Sequence, residues 1–403
     1  MNHAQSPTSA ATQASPEQPQ DLTKALANKR LAILIIALIG LLIAGGQTIA
    51  NLASQGHAAF NTTNLGLYWG LPIVIYDYFL LTSTGLAMVA GLAIVTGAED
   101  FRPILRRTVW LALAGLLGGV VVLMLELGHP LRALWAVPFS FAFSSPLYWK
   151  VMAVSFYVLS LLVLLYRLLR TDWTLPSLRP YAIVTLALAL SVTAIAGVVY
   201  GSQSFRAFWA SGDIPVAFIF ESLLGGLAFI YFFSYLAYAF NPNWMPADLR
   251  RLFDTRLPTL LSLAIFIHLL FVVARLSSGL YGNAEGLQVW QYLASAPLLY
   301  LEIFAGLVVP LILLLVPQTR THPVAQIIAS LLVMNALLIA RYEYIIGGQL
   351  VPMFKGSWAP DLLNYVPSMT GWLLLLVAIF LSNAVNAFGE LKLGLGRSEK
   401  LEG

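Results

Sequence analysis

Ten runs of apolar residues, each near the roughly 20 residues that span a bilayer as a helix, divide the chain at 31–50, 67–96, 107–127, 147–169, 180–200, 214–239, 258–279, 291–316, 323–346 and 368–388. The pattern predicts an all-α, polytopic integral membrane bundle. Residues 1–24 are rich in Ala, Gln, Ser and Pro without periodicity and read as a disordered tail. The membrane domain is expected over 25–390, with a short cytoplasmic tail over 391–403. No basic segment leading into a short apolar stretch and a small-residue cleavage site opens the chain, so no removable signal peptide is expected. The first helix is then its own insertion signal.

Composition agrees: 59% of residues are hydrophobic and 10% charged, against about 25% charged in a globular domain. Cys is absent, which removes disulfides, thiolate metal sites and any iron–sulfur cluster held by this chain. The net charge of +4 says nothing about nucleic acid, and none is expected as a partner. Its distribution is informative. Sixteen Lys and Arg fall on the face that holds the N-terminus, among them Arg30, Arg102, Arg106, Arg107, Arg397 and Lys400; six fall on the other, namely Arg132, Lys150, Arg206, Arg275, Arg341 and Lys355. By the positive-inside rule both termini are expected in the cytoplasm. The longer connections 51–66, 128–146, 201–213, 280–290 and 347–367 then face outward.

Two carboxylates lie where hydrocarbon tolerates them least, Asp77 in the run 67–91 and Glu221 in 214–233. A charge there costs roughly 3 kcal/mol or more, so such residues normally face the bundle interior, carry a partner and mark a proton, ion or substrate path. Counting 1.5 Å per residue from Trp69 places Asp77 roughly 12 Å below the outer surface, with Glu221 about as deep; Glu302, counted from Tyr292, falls roughly 15 Å down. Glu126, Tyr200, Gln203, Arg275 and Arg341 fall near the outer ends of their helices. The inner half offers chiefly Asn335, with His268 near the middle. Of His3, His57, His129, His268 and His322, only His268 is well inside a helix, so paired axial ligands for a diheme cytochrome are excluded. A single haem is disfavoured, His268 reads as a hydrogen-bonded bundle residue, and no metal site is expected.

Several segments together resemble one family. The stretch 69–91 carries Trp69, Gly70, Ile73, Asp77, Gly85 and Gly91; ELGHPLRALW (126–135) is followed by SSPLYWK (144–150); VVYGSQSFRAFW spans 198–209; YLEIFAGLVVPLIL (300–313) and ARYEYIIGGQLVP (340–352) lie on the eighth and ninth runs, followed by YVPSMTGW (365–372). No single motif is highly specific, but their order on successive helices is similar to that of the NrfD/PsrC family of quinone-reactive membrane subunits, in its ten-helix, HybB-like branch. The resemblance implies a subunit with no haem or cluster of its own, exchanging electrons and protons with a quinone (menaquinone or ubiquinone) near the outer face of a bacterial or archaeal cytoplasmic membrane. It implies docking to an iron–sulfur protein and a catalytic partner, whether molybdopterin enzyme, hydrogenase or cytochrome. This chain would then be a non-autonomous part of an oxidoreductase.

Asp77 suits the base that quinol oxidation needs; its other reading is a structural tie to a neighbouring helix. Tyr200 is either a ligand of the second quinone oxygen or an interface anchor. His129, before Pro130, is a second ligand or relay, or a solvated turn residue. Trp69, Tyr76, Gln203 and Gln349 complete the expected quinone-binding set, with Trp69 equally a belt residue. Glu126, Glu221 and Glu302 form a proton route or pair with Arg275 and Arg341. Gly347 and Gly348 are expected to permit a tight turn, and Gly115, Gly118 and Gly119 to permit close helix packing. The rival from another class is a proton- or ion-coupled transporter; against it stand the outward bias of the polar residues and the lack of a convincing internal repeat.

Overall fold

The structure, a computed structural model, describes residues 19–63, 66–282, 284–353, 356 and 360–395. Among the described residues ten helices are long and apolar enough to cross a membrane and no strand forms beyond an isolated bridge between Thr63 and Leu67, so the chain is a multi-pass, helical membrane protein. The spans are α1 (Pro19–Gln55), α2 (Leu71–Thr96), α3 (Leu105–Glu126), α4 (Pro146–Leu169), α5 (Leu175–Gly201), α6 (Ile214–Ala237), α7 (Arg256–Leu280), α8 (Pro297–Leu315), α9 (Pro323–Gly347) and α10 (Met369–Lys392). Helix α1 opens inside the stretch 1–24 read as tail. Residues 1–18 and 396–403, and with them His3, Arg397 and Lys400, lie outside the described residues, as does Lys355.

Proline sets many of the boundaries. A Pro occupies the first or second position of α2, α4, α5, α6, α8 and α9, where its missing N–H costs nothing and its fixed φ suits a helix start. The eighth run departs from expectation for the same reason. Residues 284–295 form a separate helix, the chain breaks at Ala296, and α8 restarts at Pro297, because a Pro disfavours helical backbone in the residue before it. α8 then widens into a π-helix over Leu301–Val308. Glu302 is therefore five residues into its span, roughly 8 Å from the start rather than roughly 15 Å from Tyr292.

The bundle is built around α2 and α6, which are buried along most of their lengths. They cross at glycines. A Cβ on Gly85 would strike the backbone carbonyl of Ser222, and one on Gly226 the backbone of Gly85, so both must lack a side chain for the helices to meet. Gly119 similarly rests on Tyr76 and Phe79 of α2, and Gly118 on Ala378 and Ser382 of α10, while a Cβ on Gly115 would meet only an ordinary contact with Phe79 at 3.8 Å. α3, α5, α9 and α10 surround this centre, while α1 packs along α10. Ten crossings put the start of α1 and the end of α10 at one end of the bundle, here proximal; the opposite, distal end carries the connections that follow the odd-numbered spans.

The proximal half is richer than the sequence suggested. Glu390 of α10, 3% exposed, accepts from Arg107 Nε at 2.5 Å and lies 3.2 Å from Arg30 Nη2. Arg107 also lies 5.2 Å over the Tyr238 ring. The apolar runs 107–127 and 368–388 left these charges at or beyond the helix ends. The helices extend further, α10 to Lys392 and α1 back to Pro19, and enclose them.

Candidate functional site

At the distal end four helices bring four charged side chains into one buried chain. Asp77 lies six residues into α2 and is fully buried. Its Oδ1 accepts from Lys150 Nζ of α4 at 2.9 Å, and its Oδ2 lies 3.7 Å from Arg341 Nη1 of α9. Arg341 reaches on to Glu221 of α6, with Nε at 3.1 Å from Oε1 and Nη2 on Oε2. All four residues are at most 7% exposed. Two acids and two bases balance, which answers the cost of moving each from water. The Arg341–Glu221 contact is the two-pronged fork that guanidinium and carboxylate geometry favours. The Asp77 contact is looser. Asp77 Oδ2 and Arg341 Nη1 make no hydrogen bond among the described residues and are shut off from solvent, so this edge of the carboxylate still has acceptor capacity.

Aromatic rings wall the chain. Lys150 Nζ stands 4.9 Å over the Tyr76 ring and 6.0 Å from that of Tyr200. Tyr200, 2% exposed, is boxed by Trp69 at 5.7 Å, Trp209 at 5.2 Å and Tyr344 at 5.5 Å between centroids; Trp69 and Trp209 stack at 5.5 Å. The neighbouring loops are clamped from below. Gln349 accepts from the backbone N–H of Tyr68 and Trp69 and donates to the carbonyls of Trp69 and Ile345, which uses every polar valence it has. Arg206 donates to Gly66 O at 2.5 Å and Val351 O at 3.0 Å, and Trp209 Nε1 to Tyr344 O at 2.8 Å. Burial lowers the Arg206 guanidinium from its ordinary value. Gly348 has an ordinary helical φ of −66°; it is needed for space, since a Cβ there would strike the Trp209 indole.

The expected residues therefore divide. Asp77, Glu221, Arg341, Tyr76, Tyr200 and Trp69 come together. Gln349 is tied into the loop scaffold, and Gln203 donates to Val199 O one turn back at 2.7 Å. His129 is exposed at the start of the short helix Pro130–Ala136; its carbonyl accepts from Ala133 N–H at 3.2 Å, and its imidazole has no polar partner among the described residues. Glu126 ends α3 with His57 Nε2 at 3.9 Å as its ionic neighbour. The signal for Lys150 was present in SSPLYWK, but a Lys near a helix end also reads as one whose ammonium reaches the interface, and it entered only the charge count.

A second group adjoins the chain. Glu302 of α8 and Glu343 of α9 are 4% and 6% exposed and line one cavity; among the described residues neither makes an ion pair. Arg275 of α7 pairs with no carboxylate among the described residues; it stacks at 4.8 Å on Tyr344, 5.5 Å on Trp290 and 5.6 Å on Phe208. His268 is buried with Nε2 unbonded among the described residues, contrary to the hydrogen-bonded role expected of it. Glu221, His268, Arg275, Glu302, Arg341 and Glu343 line a cavity of about 70 Å³.

Two comparisons bear on this arrangement. Residues 59–353 match the family described as Polysulphide reductase, NrfD. Over 351 residues, 75% of this chain and 80% of the relative, the sequence is 23% identical to a selenate reductase subunit of Mesobacillus selenatarsenatis.

Proposed function

The chain belongs to the NrfD polysulphide reductase family, and from that premise we propose that it is the membrane subunit of a respiratory reductase complex, exchanging two electrons and two protons with a quinone at its distal end. The observation that carries this reading is the Asp77–Lys150 pair: a buried acid and a buried base in contact, with one carboxylate oxygen still unbonded, walled by Tyr76, Tyr200 and Trp69. Charges are costly in hydrocarbon, and where they persist in a bundle interior they ordinarily belong to a proton, ion or substrate path.

The chemistry follows from the groups. A quinone ring is flat and apolar with an oxygen at each end, so aromatic walls accept its faces while a cation meets one oxygen. Lys150 supplies three N–H donors, of which Asp77 takes one. It can donate to a quinone oxygen and stabilise negative charge developing there. Asp77 Oδ2 accepts the proton that a quinol hydroxyl loses as its electrons leave, and returns it in the opposite direction. Arg341 holds the far side of Asp77 and links it to Glu221. Electrons pass to or from an iron–sulfur partner at the distal face and a catalytic partner beyond it.

One feature supports this placement. The excess of Lys and Arg at the proximal end favours the distal end facing outward from a bacterial or archaeal cytoplasmic membrane.

The test must respect the charge balance. Asp77→Asn alone strands Lys150, and breaking a buried pair costs about 3–5 kcal/mol, so a failure to assemble would mimic lost catalysis. The double variant Asp77→Asn/Lys150→Met keeps the site neutral. In the purified complex it is expected to leave the partner's activity with a soluble dye near normal and to lower quinone-linked turnover by roughly 10²-fold or more, the range for a lost acid or base. Full quinone turnover in an assembled double variant would make the pair structural.

A further inference from the structure

The cavity beside Glu221 contains more than the ion pairs need. Two residues of its wall carry buried polar atoms without partners among the described residues, Glu343 Oε1 and His268 Nε2. Unpartnered buried polar atoms that converge on a space are ordinarily met by water or an ion. At about 70 Å³ the space holds a few waters, one of which needs on the order of 10–15 Å³. Beyond Phe208, Arg275 and Trp290, which line both spaces, lies a polar distal vestibule of about 390 Å³ bordered by Ser211, Asp213 and Ser278. Arg275 is thus the plug between them, held by three aromatic rings.

Charge sets the contents. Arg341 is matched by Glu221, and Lys150 by Asp77. Among the residues that line the cavity, Glu302 and Glu343 then face a single remaining cation, Arg275, so two ionised carboxylates would leave one unmatched negative charge in a low-dielectric core. One added proton restores neutrality. It would also turn two repelling carboxylates into a carboxyl donating to a carboxylate, a short and strong charge-assisted hydrogen bond. His268 is a poorer home for it, because an imidazolium presents two N–H donors and Nε2 finds no acceptor among the described residues.

We infer that this cavity is a watered proton chamber in which Glu302 and Glu343 hold one proton between them and exchange it with the distal vestibule past Arg275. The inference rests on the proposed quinone chemistry, for which it supplies the proton's way in or out. Arg341 cannot itself carry the proton, so one released to Asp77 crosses to the Glu221 carboxylate on water that Arg341 orients, then reaches the chamber waters and the carboxyl pair while another leaves to the vestibule; only O–H bonds change. Glu343 is thereby given a role as a proton-holding residue, and Arg275 as a positioning residue whose rings keep bulk water out.

Infrared spectra of the purified complex at neutral pH test the shared proton directly. The carbonyl-stretch band of a protonated carboxylic acid is expected in the wild type and lost in Glu302→Gln and in Glu343→Gln alike, since either change leaves one carboxylate matched to Arg275. Should a Gln variant fail to assemble, Glu302→Asp keeps both acids and is expected to keep the band. Absence of the band in the wild type, its survival in either assembled Gln variant, or its disappearance on adding Na⁺ at constant pH overturns the inference, the last by putting a metal cation where the proton is placed. The result does not depend on quinone turnover: a missing band leaves the Asp77–Lys150 reading standing, and an active Asp77→Asn/Lys150→Met variant leaves the band standing.

Discussion

The two ends of the bundle bury charge differently. At the proximal end two guanidiniums enclose one carboxylate, Arg30 and Arg107 about Glu390, leaving a cationic excess. At the distal end, once Asp77 and Glu221 are matched by Lys150 and Arg341, two carboxyls meet one guanidinium, leaving an anionic excess. A guanidinium cannot be discharged in a protein, whereas a carboxyl is neutralised by a single proton. The proximal excess is therefore permanent and sits where Arg30 is still 17% exposed. The distal excess is titratable and faces a cavity. The same residue types make a fixed strut at one end and a place where protons can be held at the other.

The largest effect that would break this contrast belongs to Glu390. Glu390→Gln strands two arginines, and the expected loss is about 3–5 kcal/mol of stability, read as lower yield and a lower midpoint of thermal unfolding in detergent. Turnover with quinone per assembled complex is expected to be unchanged. A large drop in turnover without loss of assembly would place the proximal triad in the working machinery and erase the distinction.

Lys150→Met probes the other end. Asp77 then keeps only the looser Arg341 contact at 3.7 Å, a stranded buried charge that costs about 3–5 kcal/mol, so turnover is read per assembled complex. Quinone-linked turnover is expected to fall roughly 10²-fold, while Lys150→Arg, which retains charge but not the compact ammonium, restores assembly without restoring full turnover. Equal turnover in the Met variant and the wild type would reduce Lys150 to a counter-ion.

How much of this was legible follows physical lines. The ten spans were readable because about 20 apolar residues in a row have no other stable use. Asp77 and Glu221 were readable because each stands alone in such a run. Lys150, Arg107 and Glu390 were not, because they lie near the ends of runs, where a charge reaching the interface and a charge folded inward have the same sequence. The pairing of Glu302 with Glu343 was hidden further, since it depends on α8 restarting at Pro297 and on Gly306 letting α8 approach Ala336 of α9. Within YLEIFAG and ARYEYIIGG the two acids are 41 residues apart, and only packing joins them.

A smaller effect is expected at the scaffold. Gln349→Ala deletes three hydrogen bonds to loop backbone and one to Ile345 O of α9 and leaves buried partners unmet, at a cost of about 1–3 kcal/mol. Because the residue positions Trp69 without touching the charges, the change is expected in the KM for quinone more than in kcat. A fall in kcat at constant KM would instead place Gln349 against the reacting oxygen.

Glu126 gives the smallest effect and the sharpest control. Like Glu221 it is an acid in an apolar run, and sequence alone offered both the same two roles, a proton route or a partner for Arg275 or Arg341. The structure separates them: Glu221 is gripped by Arg341 and borders the chamber, while Glu126 ends α3 facing His57, whose side chain is 54% exposed, across 3.9 Å. An ion pair at that distance and exposure contributes under about 1 kcal/mol. Glu126→Gln is therefore expected to change stability by less than about 1 kcal/mol and to leave quinone-linked turnover and the carboxyl infrared band as in the wild type. Glu221→Gln, by contrast, frees the fork of Arg341 and disturbs assembly and turnover together. If Glu126→Gln lowered turnover as far as Lys150→Met does, protons would be leaving along α3, and burial at a balanced charge cluster would no longer separate the working carboxylates of this bundle from the incidental ones.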